Sequence, residues 1–156
     1  MGRDKAFVVV DGITMGERVR AALAAVCDTV VVVGGVDADV VDDGDGPLGA
    51  VVALLRSGRG RRFLIAATDQ PRLSEDVLRP LLDAVGDGDG IAWQGQPLPL
   101  CIGVGALPRL QAAMAAGERR LRMAVTVWLP VTSAAVSDGL VDVDTTDDLA
   151  GVLRQS

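Results

Sequence analysis

The sequence predicts a doubly wound α/β domain. Short β-rich runs alternate with helical patterns along the whole chain, and one of those runs, Thr29 to Val33, is almost pure valine and closes on Gly34 and Gly35. A continuous apolar run of that length suits a strand buried on both faces of a parallel sheet better than a half-exposed strand of a sandwich. Right-handed crossovers then place any ligand site beyond the carboxyl ends of the strands.

The elements follow in order. Ala6 to Val10 forms a strand closed by the Asp11, Gly12 turn, and Thr14 with Glu17 three residues later makes a capping box that opens a helix. Val19, Leu23 and Val26 give that helix one apolar stripe. The valine run comes next, and after an Asp and Gly loop Pro47 stands where a first helical residue tolerates a missing N–H. Leu48, Val51, Val52 and Leu55 continue that helix. Phe63 to Ala67 is a strand running into Thr68, Asp69, Gln70 and Pro71, and Ser74 caps a helix carrying Val77, Leu78, Leu81, Leu82 and Val85. Ile91 to Gln94 and Leu100 to Val104 are strands around a proline-rich turn, followed by a helix from Leu107 to Ala116. Ala124 to Val131 and Leu140 to Val143 are two more strands, and Thr145 with Asp147 and Asp148 opens a last helix. Neither an internal repeat nor a flexible linker interrupts the pattern, so residues 1–156 are expected to form a single domain.

Composition narrows the chemistry. With 49% hydrophobic residues the chain can bury a sizeable core, and its net charge of −6 argues against a broad surface for nucleic acid. No apolar run reaches the roughly 18 residues of a membrane helix, and Met1 to Asp4 does not start a secretory signal, so a cytoplasmic protein is expected. Histidine is absent, which excludes Ser-His-Asp and Cys-His machinery; chemistry must run on carboxylates, arginines, one lysine and a metal. Cys27 and Cys101 stand far apart with no CxxC pair and are expected to be small core residues.

Acidic residues recur at strand ends: Asp42 and Asp43 after Val40 and Val41, Asp69 after Phe63 to Ala67, and Asp142 and Asp144 around Val143. Gathered at one sheet edge they would suit magnesium; taken singly, each is also what an acidic protein places in its turns. Asp69 stands out, because it follows an apolar strand and precedes a proline, a sharp and rigid exit. Lys5 is the only lysine among fifteen basic side chains, either a compact charge for a phosphate oxygen or a solvated residue near a terminus. Gly46, Pro47, Leu48 and Gly49 open a helix whose free N–H groups suit an anion or a base edge, or form an ordinary turn. Arg56, Arg59, Arg61 and Arg62 lie toward the amino end of a strand and read as a solvated face, and Arg119, Arg120 and Arg122 either meet an anionic substrate or, the preferred reading, are exposed helix charges.

Several fragments also line up, in order, with one family. Met1 to Ala6 resembles the end of the signature LAGGxSxRMGxDKA, Gly46 to Gly49 its GPLAG or GPLGG element, and Thr68 to Pro71 its CDxP element. Ala116 to Arg120 resembles its AGER segment, and Val141 to Leu149 its NVNTPEDL ending. The chain thus resembles the molybdenum cofactor guanylyltransferases, MobA-like nucleotidyltransferases. The resemblance implies a Rossmann-like αβα sandwich of the nucleotide-diphospho-sugar transferase type. It also implies magnesium-dependent transfer of GMP from GTP to the terminal phosphate of molybdopterin, with release of pyrophosphate.

By the same resemblance Lys5 contacts the GTP phosphates, Asp69 holds magnesium, and Asp42 or Asp43 faces the guanine. Gly46, Pro47, Leu48 and Gly49 border the base, and Asp144 lies near metal and phosphates. Lys5 and Asp69 are the catalytic candidates, and a monomer with no nucleic-acid or membrane partner is expected. Two departures stand out. The family's LAGG strand and loop, and the arginine before Met1, have no counterpart, so an N-terminally truncated domain is expected, by a start assigned downstream or by true loss. Both asparagines of the family's ending are aspartates, Asp142 and Asp144. Two other readings therefore stand beside the enzyme: a nonenzymatic nucleotide-binding or partner module, and a related nucleotidyltransferase using CTP or another acceptor.

Overall fold

The structure, a computed structural model, describes residues 9–10, 12–35, 37–70, 72–84, 90–93, 96–129 and 132–134. It opens on a hairpin in which β1 (Val9–Val10) pairs antiparallel with β2 (Ile13–Thr14). The capping box then forms as its spacing predicts: Glu17 N–H donates to Thr14 Oγ1 at 3.2 Å, and Thr14 N–H donates to Glu17 Oε2 at 2.9 Å. Helix α1 (Met15–Ala24) follows, with Met15 and Val19 buried. Helix α2 (Gly46–Arg56) carries Pro47 in its first turn and buries Leu48, Val51, Val52 and Leu55. Strand β3 (Arg62–Ile65) leads through the Asp69 turn to α3 (Glu75–Ala84), which buries Val77, Leu78 and Leu81. Strands β4 (Gly90–Trp93) and β5 (Leu100–Gly103) precede α4 (Leu107–Ala115).

The main sheet has the order β3-β5-β4-β6, where β6 is Thr132–Ala134. Both β3 and β4 run antiparallel to β5, and β4 runs parallel to β6, so β3, β4 and β6 share one direction. The expected parallel character resides in those three strands. Strand β5 is reversed because only a short link separates Trp93 from Leu100. Such a link suffices for an antiparallel return but not for the crossover of a dozen or more residues that a parallel neighbour requires.

Alternation along the strands sorts the core into two layers, because successive side chains leave a strand on opposite faces. Leu100 and Ile102 of β5 meet Leu48, Val51, Val52 and Leu55 of α2, with Leu110 and Ala113 of α4. Cys101, between them, faces the other way and packs with Val19, Val77, Leu78, Leu81 and Trp93. Helices therefore cover both faces, the αβα sandwich that the family resemblance implies.

Two expected strands are corrected. Among the described residues Thr29 to Val33 forms no ladder; the pairing it shows there is a parallel bridge between Val33 and Val40. The run's own loop consumes its backbone: Val32 N–H donates to Asp39 Oδ2 at 2.8 Å, and Val32 C=O accepts from Asp39 and Val40 N–H at 2.9 and 3.1 Å. The expected strand Ala124 to Val131 does not form over Ala124–Trp128 either, and its last two residues lie outside the described residues. A short helix α5 (Leu121–Met123) runs straight into a π-helical turn, Ala124–Trp128. Leu121, Ala124 and Val125 are all buried, at the i, i+3, i+4 spacing of one helix face, and core contact along that face outweighs the β preference of Val125, Thr126 and Val127. The expected strand at Leu140 to Val143, the last helix, and Ala6 to Val8 lie outside the described residues.

Candidate functional site at the β3 exit

Strand β3 delivers its carboxyl end to a turn at Thr68 and Asp69, and Asp69 is half-buried there. A cleft of about 950 Å³ runs the length of β3, from Arg59 and Gly60 before the strand to Thr68 and Asp69 at its exit, and is lined also by Pro47, Ala50 and Val51 of α2, by Leu98, by residues of α1 and by the valine run Val30 to Val33. The fold thus brings together Asp69 and the first turn of α2, both singled out in the sequence. Asp45, at the N-cap of α2, makes no side-chain capping bond, so among the described residues the first-turn N–H groups of the helix are not taken by that cap and suit an anion.

The GPLG element is resolved residue by residue. Gly46 holds φ at 74°, a left-handed conformation that favours glycine. Pro47 faces the cleft. Leu48 does not: it is fully buried in the core layer against β5, so only its backbone can meet a ligand. Gly49 is buried too, and a Cβ there would sit 2.6 Å from the Asp45 Cβ. Gly49→Ala should therefore lower the unfolding midpoint. Overpacking costs about 1–3 kcal/mol, more than the roughly 1 kcal/mol that alanine gains over glycine within a helix. A raised midpoint in denaturant would show that Asp45 moves aside freely.

Neither Asp42 nor Asp43 lines the Asp69 cleft. The Asp42 carboxylate lies over Gly34, where a Cβ would approach its Oδ1 to 3.3 Å and where φ is 73°. Asp43 instead borders a second groove of about 430 Å³ across α2, with Asp45, Arg56 and Gln111. Lys5, Asp142 and Asp144 lie outside the described residues, and among the described residues no group of three or more His, Cys, Asp or Glu could hold a metal.

Arg119 and Arg120 are not helix charges; they sit in the loop between α4 and α5. Arg119 reaches Asp45, beside the start of α2, at 3.8 Å. Both groups are about half exposed, so the pair is worth at most about 1 kcal/mol. Glu118 accepts from the Arg119 and Arg120 backbone N–H groups and from Arg120 Nε at 2.9, 2.8 and 3.1 Å. The Arg120 side chain above all, then those N–H groups, hold its carboxyl down at about 2. This explains the AGER glutamate as the staple of its own loop. On the far edge, Arg59 donates to Asp39 C=O at 2.9 Å. Burial pushes the Cys101 thiol up to about 11 and raises that of Cys27, so neither is poised as a thiolate nucleophile.

One polar residue escaped sequence reasoning. Gln70 is 3% exposed, donates from Nε2 to Leu98 C=O at 3.0 Å, and accepts at Oε1 from Ala67 N–H at 3.2 Å. A polar residue wedged between Asp69 and Pro71 was the only available signal.

This αβα sandwich is a fold of the nucleotidyltransferase class, and solved structures share it. Molybdopterin-guanine dinucleotide biosynthesis protein A from Archaeoglobus fulgidus superposes with a TM-score of 0.74 at 20% identity, covering 99% of this chain and 93% of that one. The 2-C-methyl-D-erythritol 4-phosphate cytidylyltransferase of Thermus thermophilus gives 0.75 at 17% identity, covering 97% and 94%. The family model of the MobA-like NTP transferase domain matches residues 1–131, and the chain belongs to that family. A molybdenum cofactor guanylyltransferase of Pseudomonas putida is 34% identical over 113 residues, 69% of this chain. That match spans 56% of the relative, so the chain covers about half the length of the curated relatives it matches. No helix among the described residues is long and apolar enough to cross a membrane.

Proposed function

We propose that this chain, as one domain over residues 1–156, transfers GMP from GTP to molybdopterin, with Mg2+ as cofactor, working as a cytoplasmic monomer. The observation that carries the reading is the shared cleft: Asp69, at the carboxyl end of β3, and the first turn of α2 face one space of about 950 Å³. Family membership and the guanylyltransferase relative support it.

The acceptor phosphate is already ionised at neutral pH, so one of its oxygens attacks the α-phosphorus of GTP without a general base. A new P–O bond forms, the bond bridging the α- and β-phosphates breaks, and pyrophosphate leaves with the electron pair. What the protein must supply is alignment and charge neutralisation. The first-turn N–H groups of α2 and Pro47 would border the nucleotide and Lys5 would pair with a phosphate, whereas Asp42 and Asp43, which do not line this cleft, would play no part in it. A magnesium ion that keeps several waters needs only one or two carboxylates besides the phosphates, which Asp69 and Asp144 would provide. When bound, it would offset the negative charge of the triphosphate.

The test is pyrophosphate release and formation of the guanylylated pterin from GTP, Mg2+ and molybdopterin, with CTP in parallel. Turnover with CTP alone would transfer the reading to cytidylyl transfer, and turnover with neither would favour a binding module. Lys5→Arg keeps the charge but changes its shape, so GTP affinity should fall about tenfold if a compact ammonium is needed. Unchanged affinity by calorimetry would make Lys5 a solvated residue.

A further inference from the structure

The β3–β5 ladder pairs Arg62 with Gly103, Phe63 with Ile102, Leu64 with Cys101 and Ile65 with Leu100. Continued in the same register, the next pairs would be Ala66 with Pro99 and Ala67 with Leu98. The paired ladder stops at Ile65 and Leu100, and by the alternation of an antiparallel pair the next hydrogen-bonded rung would be Ala67 with Leu98. The two backbone groups that the interrupted ladder would have used further on are the ones Gln70 takes: its amide accepts from Ala67 N–H at 3.2 Å and donates to Leu98 C=O at 3.0 Å. A side-chain amide thus replaces a backbone rung and holds the two strands apart where they leave the sheet. Among the described residues Gln70 is the one amide, hydroxyl or charged side chain in the buried class, and an amide buried without both bonds would be costly. Asp69 sits inside the short loop that the Ala67 bond closes, and Leu98 lines the same cleft as Asp69.

We infer that Gln70 is a positioning residue: by bridging Ala67 and Leu98 it fixes the direction of the Asp69 carboxylate and the width of the cleft beside it. The inference rests on Asp69 binding magnesium as proposed above. Partners that orient a ligating carboxylate typically contribute about 10- to 100-fold to metal affinity, and that is the scale expected here.

The experiment compares GTP binding with and without Mg2+ for the wild type, Asp69→Asn, Gln70→Met and Gln70→Glu, with thermal midpoints alongside. Gln70→Met removes both bonds at similar volume. It should cut the gain in GTP affinity that Mg2+ provides by at least about tenfold, while metal-free GTP affinity stays within about threefold. Should it not fold, Gln70→Glu decides: it keeps the shape and the acceptor, loses the donor to Leu98, and adds negative charge next to Asp69. Charge alone would strengthen the magnesium effect; lost positioning weakens it. A Mg2+-dependent gain that survives in the Gln70 variants but vanishes in Asp69→Asn overturns the inference and leaves the magnesium reading standing. Equal losses with and without Mg2+ also overturn it, since they mark a merely structural role. A gain that survives in Asp69→Asn removes the magnesium reading itself, and the inference with it.

Discussion

Asp69→Asn is expected to lower Mg2+-dependent turnover of GTP at least a hundredfold while leaving the thermal midpoint nearly unchanged. A metal that stabilises transferring phosphates supplies several kcal/mol to the transition state, and each tenfold in rate is about 1.4 kcal/mol, so losing its ligand should cost two or more decades. The fold should tolerate the change, because asparagine is isosteric and Asp69 stands in the turn after β3, outside both core layers. The measurement is pyrophosphate release across a Mg2+ titration, with far-UV circular dichroism and thermal melts as the folding control. Turnover within about threefold of the wild type would remove Asp69 from the metal site, since that deficit is well under 1 kcal/mol.

The parts of the fold that could be read in advance are those whose causes are local. The Thr14–Glu17 box depends on two residues three apart, and the start of α2 on Pro47 and the apolar spacing that follows; both form as expected. Strand pairing depends on residues far away. Nothing within Thr29 to Val33 says whether a neighbour will lie beside it, and nothing in the β-branched Val125 to Val127 reveals that the apolar positions fit a helical face that packs on α4 in the core layer of α2 and β5. The site divides in the same manner. Asp69 was visible because an acid follows an apolar strand run and a proline comes two residues later. Gln70 was not, because the carbonyl it needs is 28 residues away. Arg119 was read as a helix charge because its proximity to Asp45 exists only once α4 has docked on α2.

Within the GPLG element, motif and role come apart, and Leu48→Ala separates them. The resemblance groups Leu48 with residues bordering the base, yet its side chain is 0% exposed and packs against Leu100 and Ile102 on the sheet. Leu48→Ala should therefore destabilise the protein by about 2–5 kcal/mol, the transfer energy of the lost methyl groups plus the cavity they leave. Alanine's helix propensity returns only a few tenths of a kcal/mol, too little to offset this. GTP affinity, measured well below the lowered midpoint, should change less than threefold, because the backbone N–H that Leu48 offers at the start of α2 survives the substitution. Urea unfolding and calorimetric titration of GTP give the two numbers. A loss of stability below 1 kcal/mol together with a tenfold weaker GTP affinity would reverse the assignment and put the Leu48 side chain in contact with the nucleotide. In the expected outcome, the leucine of the motif secures the helix on the sheet, and recognition is left to Gly46, to Pro47 and to the N–H groups that this anchoring holds at the mouth of the cleft.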